Sequence, residues 1–298
     1  MPHISEIRGQ PHLSASSVND YLDCGLLYKF SRIDKIQPEF RSDADMAHDC
    51  QYFNASSIPI FGLGLLPAIW RDDVTALLGL REVIPVWQQA LQEKGYKNVL
   101  LARMLGGSIG TFLNTKNVLV KVPADIKGMR LRSTGPSISA AFKRMGAAPL
   151  IVPTAEVYEN LARNLIEGAV SYLGSTVDYK LHEVTKYGTM LSFGHSIQGL
   201  ILNKQSLNKL SQPDQELVKE FAAWAGNEMG LKSSVAKQRD IAFNKRELKE
   251  LYTPTEKEME LWNQAFAPTI DEWVKQAGPL GKKIMEILQR WNALYPVK

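Results

Sequence analysis

Apolar residues along this chain keep no single period, and the points where the period changes divide it into stretches of different kind. Val18, Leu22, Leu26 and Leu27 fall at helical spacing within residues 1–44, and a polar, charged tail follows through Asp43. Residues 45–122 carry apolar runs such as IPIFGLGLLPAIW (58–70), which reads as a buried strand or turn region, and then a helix from Asp72 to about Lys94. Gly95 stands where that helix needs a left-handed stop, a conformation glycine adopts without a Cβ clash. Beyond residue 203 the pattern is almost wholly helical, with Ser211/Asp214 and Thr253/Glu256 as capping boxes and Pro254 suited to a first helical position. Two apolar stripes there, Leu217/Phe221/Trp224 and Met259/Trp262/Phe266, are predicted to face the core.

Residues 123–203 alternate strand-like and helix-like segments, and their order predicts an architecture. The spacing gives a strand over 129–133, a helix over 137–145 ended by Gly146, and a strand over 149–153. A helix over 155–166 follows, with Thr154 as N-cap and Gly168 past its end, and then a strand over 169–173. Such a β-α-β-α-β run with short connections implies a parallel sheet wound in one hand. Ligands of such sheets sit beyond the carboxyl ends of the strands, where helix N-termini point their unpaired N–H groups. Arg132 with the loop Ser133, Thr134, Gly135 and Pro136, then Thr154, then Ser171 with Tyr172 reach that edge. Arg132 is either an anion-gripping cation or a strand-end arginine pairing with Asp125 or Glu156, and Thr154 is either a helix cap or a ligand contact.

Composition narrows the class. With 45% hydrophobic and 22% charged residues in 298, the chain has the makeup of an ordinary globular protein with ample core. The net charge of +4 comes from scattered residues, with no basic stripe for nucleic acid. Cys24 and Cys50 form neither a zinc spacing nor a disulfide framework, and His3, His12, His48, His182 and His195 show no metal spacing. No run approaches the ~18 apolar residues of a membrane span. The first residues, MPHISEIRGQPHLSASS, lack the apolar h-region of a secretory signal.

Four segments carry a family resemblance: PADIKGMRLR (123–132), KRMGAAPLIVPTAEVYENL (143–161), IEGAV (166–170) and LILNKQSLNKLSQPDQELV (200–218), with YFNASSIPIFGLGLLPAIWRD (52–72) upstream. From about Asp45 onward the chain resembles the DctP-type solute receptors of TRAP transporters, extracytoplasmic proteins that deliver carboxylates to an ion-coupled membrane permease. The resemblance implies an α/β fold of the two-lobed periplasmic-binding-protein kind, with parallel-sheet lobes and long bridging helices, closing on its ligand. It also implies that Arg132, the arginine of the KGxxxR stretch, salt-bridges the substrate carboxylate. A planar guanidinium grips both carboxylate oxygens in parallel, which lysine cannot.

Other positions depart from the family pattern. Phe112, after Gly110 and Thr111, replaces a second arginine; Thr154 replaces a frequent aromatic; Ser171 and Tyr172 follow Glu167-Gly168 without the usual asparagine. His195 and Ser196 occupy the stretch that usually offers a polar side chain before the strand ending at Asn203. With Phe112 as ligand cover the pocket is expected to be more apolar than a dicarboxylate site, suiting a monocarboxylate or aromatic acid.

The first 44 residues differ: LSASSVNDYLDCGLLYKFSRIDKI (13–36) and PEFRSDA (38–44) are similar to the opening of RecB-like PD-(D/E)XK nucleases, without their remaining cysteines or acidic-lysine motif. Two unrelated resemblances meeting near Asp43 to Met46 imply a join to a receptor part that lacks its first strand-helix-strand. The expected division is 1–44 as an unrelated segment, 45–122 with 206–252 as an incomplete first lobe, 123–205 as a second lobe and 253–298 as C-terminal helices. The expected protein is a periplasmic receptor with no catalytic residue, metal or cofactor. Its expected partners are a small organic acid and the permease subunits of a TRAP transporter, with no nucleic acid and no membrane embedding. The alternatives are an α/β enzyme acting on a small organic acid, using His195 or Glu156, and a non-functional fusion product.

Overall fold

The computed structural model describes residues 46–50, 55, 57–70, 72–109 and 111–294. The chain divides into two compact units, Met1–Met46 and Ala47–Lys298, and the second carries the fold described below. The segment similar to the nuclease opening lies outside the described residues.

Two sheets organise the second unit. A three-stranded sheet has the order β1-β8-β2, with β1 at Met46–Cys50, β2 at Val99–Ile109 and β8 at His195–Asn203. A six-stranded sheet has the order β5-β4-β6-β3-β7-β9. Its members are β3 (Thr111–Thr115), β4 (Arg130–Ser133), β5 (Ala148–Ile151), β6 (Gly168–Tyr172), β7 (Tyr187–Thr189) and β9 (Glu250–Tyr252). As the pattern predicted, β4 runs parallel to both β5 and β6. The sheet is mixed because β3 joins antiparallel to β6 and β7.

Chain membership of the sheets differs from the predicted lobes. Residues 111–115 pair in the six-stranded sheet although they fall before residue 122, and 195–203 pair with β2 although they precede residue 205. Both changes occur where the chain passes from one sheet to the other, between β2 and β3 and between β7 and β8. Strand pairing depends on partners far away in sequence, so apolar periodicity carries no trace of these changes of sheet.

Helix α1 (Asp73–Glu93) starts on a reciprocal cap: the Asp72 carboxylate accepts from Thr75 N at 2.8 Å, and Asp72 N donates to Thr75 Oγ1 at 3.2 Å. It stops at Gly95, φ 90°. Helix α2 (Pro136–Arg144) ends at Gly146, φ 84°. The next helical segment is shorter than predicted, a 3-10 turn at Thr154–Glu156 followed by α3 (Val157–Ala162). Asn164, φ 59°, takes the left-handed turn there, and Gly168 opens β6 instead. A Cβ at Gly168 would lie 2.7 Å from Asn114 O and 2.9 Å from Leu131 Cδ2, so the crowding of three strands demands glycine. Two short helices, α4 (Leu173–Asp178) and α5 (Lys204–Leu207), precede the two long ones.

Helix α6 (Gln212–Glu247) packs against β2 of one sheet, β9 of the other and α4, while α7 (Glu256–Leu294) packs against α1, α2 and the 3-10 helix at Pro59–Leu65. Ser211 caps α6 as predicted. The cap of α7 lies two residues later than the predicted pair: Glu258 N donates to Thr255 Oγ1 and Thr255 N to the Glu258 carboxylate at 2.7 Å. Gly278 (φ 65°) with Pro279 kinks α7 between its two halves. The half before the kink is tied at two points, Trp262 Nε1 donating to Lys121 O at 2.9 Å and Trp273 Nε1 to Pro59 O at 2.9 Å.

The two predicted core stripes part company. Trp262 and Phe266 are fully buried and stack at 5.6 Å, in one cluster with Phe142, Phe193 and Leu131. Leu217, Phe221 and Trp224 are 63%, 50% and 57% exposed. What α6 buries is small or polar: Ala222, Gly226, Asp240 and Asn244. Trp262→Ala is expected to cost about 3–5 kcal/mol and Trp224→Ala under about 1 kcal/mol. Urea unfolding of the two variants measures the contrast, and equal losses would contradict the placement of α6.

Candidate functional site

Two chain passages between the sheets meet at a single threonine. Thr111 Oγ1 donates to Gly194 O at 3.2 Å and accepts from Phe193 N at 2.7 Å, so the start of β3 is tied to the residues before β8. Phe193 anchors the same point in the core, edge-on to Phe142, Trp262 and Phe266. Gly194, φ 128°, has no room for a Cβ, which would meet Gly64 O at 2.7 Å. Gly64 belongs to a 3-10 helix, Pro59–Leu65, laid against β8, and its own Cβ would meet His195 O at 2.8 Å.

A cavity of about 90 Å³ lies beside this crossing, walled by residues from the 3-10 helix, the strand ends of the six-stranded sheet and both passages. Of the residues singled out in the sequence, Arg132, Thr134, Thr154, Ser171, Tyr172 and His195 line it. They come together because β4 and β6 end side by side, the turn after β5 brings Thr154 alongside, and β8 begins at the crossing.

Arg132 is 8% exposed. Its Nε donates to Val152 O at 3.0 Å, Nη1 to Val170 O at 2.5 Å and Nη2 to Thr154 Oγ1 at 3.1 Å. Each guanidinium nitrogen is thus fixed by a neutral acceptor, which sets the plane of the group at the cavity wall. Thr154 does not cap the helix after it; the cap residue is Pro153, and the Thr154 hydroxyl serves the guanidinium. Ser171 Oγ accepts from Asn114 Nδ2 at 2.8 Å, which leaves the serine proton for an acceptor on the cavity side.

Phe112 is placed elsewhere. It is fully buried in a small cluster with Leu173 and Leu248, and Thr111 is the β3 residue that lines the cavity. Successive strand residues face opposite ways, so a wall position at Thr111 sends Phe112 into the core. The apolar cover that Phe112 was expected to give the pocket is therefore absent from its described lining. Ser196 is the second residue of β8, and its side chain lies outside the described set. Sequence reasoning missed Thr111, Phe193 and Gly194 as wall residues; only the Gly110-Thr111 pair was visible, and it directed attention to the residue after it.

His195 is 5% exposed, with Nε2 3.1 Å from Ser192 Oγ and its ring edge-on to Trp70 at 6.4 Å. Burial, with a smaller contribution from the Lys237 charge, pushes the imidazole down to about pKa 3, so it is neutral at physiological pH. Among the described residues no group of three or more His, Cys, Asp or Glu side chains could hold a metal, and no helix is long and apolar enough to cross a membrane.

The lowered histidine fixes the sign of a pH effect. Unfolded His195 titrates near its ordinary value of about 6.5 and so takes up a proton that the folded form refuses down to about 3. Stability from this group is full above pH 6.5 and falls as pH drops towards 3. Thermal unfolding from pH 7 to 4 is expected to lose less stability in His195→Gln than in the parent protein, and parallel curves would contradict a buried neutral imidazole.

Comparison with known proteins agrees with this architecture. Residues 79–276 match the family described as bacterial extracellular solute-binding protein, family 7 (DctP). Among curated proteins the chain is 34% identical over 171 residues to the 2,3-diketo-L-gulonate-binding periplasmic protein YiaO of Escherichia coli, a match that covers 57% of this chain and 51% of that one. The chain thus spans about half the length of that curated relative. Among solved structures it is similar to the periplasmic ectoine-binding protein of the TeaABC TRAP transporter of Halomonas elongata, at TM-score 0.72 and 18% identity over 88% of this chain and 86% of that one. A TRAP periplasmic solute-binding protein of Chromohalobacter salexigens with bound D-glucuronate gives TM-score 0.72 at 20% identity, over 87% and 84%. The nuclease resemblance of residues 1–44 is not borne out. The two-lobed α/β fold and the family match over residues 79–276 together establish that the chain belongs to the DctP family of bacterial extracellular solute-binding proteins.

Proposed function

We propose that this chain is the solute receptor of a TRAP-type transporter, holding a small organic acid beside the sheet crossing and delivering it to membrane permease subunits. The observation that carries the reading is Arg132: a buried guanidinium, oriented by Val152 O, Val170 O and Thr154 Oγ1, at the wall of a cavity formed where parallel strands end. Family membership supports a receptor in place of an enzyme and a periplasmic working place. The solutes of related proteins, 2,3-diketo-L-gulonate, ectoine and D-glucuronate, support a small organic solute.

In this reading the two sheets are the two lobes. The first contains β1, β2, β8 and α1, the second β3 to β7 and β9, and α6 and α7 span both. Thr154, Ser171, Tyr172 and His195 complete the ligand contacts around Arg132. The lobes close by bending at the passages that Thr111 ties together, which places ligand contacts from both lobes within one cavity.

Ligand that binds only the folded state raises the melting temperature in proportion to the logarithm of its concentration over Kd. A thermal-shift panel of organic acids is expected to give a saturable increase for the cognate acid. Arg132→Ala is expected to weaken that binding at least a hundredfold, and Arg132→Lys by about tenfold or more, because lysine loses the two-pronged geometry. An unchanged shift in Arg132→Ala would refute the assignment.

A further inference from the structure

A row of large apolar side chains on α6 stays outside both the core and the candidate site. Leu217, Phe221, Trp224, Leu231 and Val235 are each half exposed or more, Val235 by 73%. Their spacing alternates four and three, with Glu228 as the one polar position of the series. That alternation makes the narrow seam of two paired helices, whereas a helix lying on a globular core carries a broader stripe. At 3.6 residues per turn the seam lies opposite Ala222, Gly226, Asp240 and Asn244, the residues that α6 buries in its own fold. Along one flank Arg81 of α1 donates to Asn227 Oδ1 at 2.9 Å, and along the other the surface dips into a groove of about 460 Å³ between Trp224 and Ala236. No α6 residue is among the described lining of the cavity at the crossing, so the seam is separate from the ligand site.

We propose that this seam is an interface with a second copy of the chain, the two α6 helices lying antiparallel about a two-fold axis at the level of Gly226. That axis sets Leu217 opposite the partner's Val235, Phe221 opposite the partner's Leu231 and Trp224 opposite the partner's Glu228, so each seam position meets a seam position. Phe221 and Trp224, with ring centroids 5.7 Å apart, then form an aromatic anchor near the centre of the interface. The Trp224 indole N–H gains a carboxylate to donate to, and Glu228, 4.0 Å from Lys232, is the polar seam residue that fixes the register. Beyond the apolar stretch the next seam positions are Asp214 and Gln238, and the same axis pairs them, so the apolar seam ends at both limits together. Charge selects the same orientation. The first half of α6 is net acidic, with Asp214, Glu216 and Glu220 against Lys219, and the second half is net basic, with five Lys and Arg against three Asp and Glu. An antiparallel second copy lays acidic half on basic half, whereas a parallel one sets like charge on like. Residues 217–235 span about 27 Å of helix. An isolated pair of that length would be marginal, but both helices are already formed by packing in their own folds, so pairing carries no cost of helix nucleation.

Sedimentation equilibrium of the full chain, from micromolar to hundred-micromolar concentration, is expected to show a reversible monomer–dimer equilibrium. Trp224→Glu and Leu231→Glu should each weaken it about a hundredfold or more, because a symmetric interface carries every substitution twice and each places a charge in the apolar seam. Both side chains are exposed in a single copy, so the circular dichroism and the urea midpoint of the dilute variants should stay close to those of the parent protein. Disulfide trapping reads the orientation, in a Cys24→Ser, Cys50→Ser background. Leu217→Cys mixed with Val235→Cys is expected to cross-link between copies, and neither variant is expected to cross-link with itself. A monomer at every concentration would show that no second copy covers the seam and would overturn the proposal. A dimer that survives both glutamate substitutions, or cross-linking of Leu217→Cys to itself, would overturn it equally, the first by placing the interface elsewhere and the second by showing a parallel pair.

Discussion

The fold depends on one hydroxyl. The chain passes twice between the sheets, and a buried backbone group that leaves its ladder needs another partner. Thr111 Oγ1 serves both sides of that gap, donating to Gly194 O and accepting from Phe193 N. Because one atom holds both segments, the passages are tied to each other, and the wall residues on either side keep their alignment. The glycines follow from the same constraint. Gly64 and Gly194 stand back to back, each without room for a Cβ, so the 3-10 helix of one sheet can lie directly on the passage into it.

Arg132 shows how a buried cation is made tolerable while it stays useful. Removing a guanidinium from water is expensive unless its donors are met. Here two carbonyls and a hydroxyl meet one donor on each of its three nitrogens, so fixed dipoles offset the burial of the group. The cradle comes from the strand ends themselves, Val170 in β6 and Val152 just past β5, so the sheet that positions the arginine also orients it.

Much of this was legible from local pattern. Arg132, Ser171 and Tyr172 ride on strands whose order follows from a β-α-β-α-β run, and Gly95 and Gly146 mark helix ends through a left-handed backbone that favours glycine. The passages were not legible. Nothing in the alternation of residues 99–115 tells that the strand changes sheets, because that event depends on partners far away in sequence. The error at Phe112 has the same origin: a displacement of one residue in a strand exchanges wall for core. Helix α6 failed for a different reason. Its large side chains Leu217, Phe221 and Trp224 form the more apolar stripe, yet the face it buries carries Ala222, Gly226, Asp240 and Asn244, which an apolar pattern does not mark.

The two halves of the cavity wall are held by different means. Arg132 belongs to parallel strand ends, where Val170 O in β6 and Val152 O just past β5 fix its plane. His195 belongs to the start of β8, where Thr111 ties the preceding backbone at Phe193 and Gly194. With Phe112 withdrawn into the core, the described lining beyond Arg132 is neutral, the imidazole being kept uncharged by its own burial. The burial that withholds a proton from the imidazole withholds water from any further charge placed beside it, so the wall carries one full charge among its described residues.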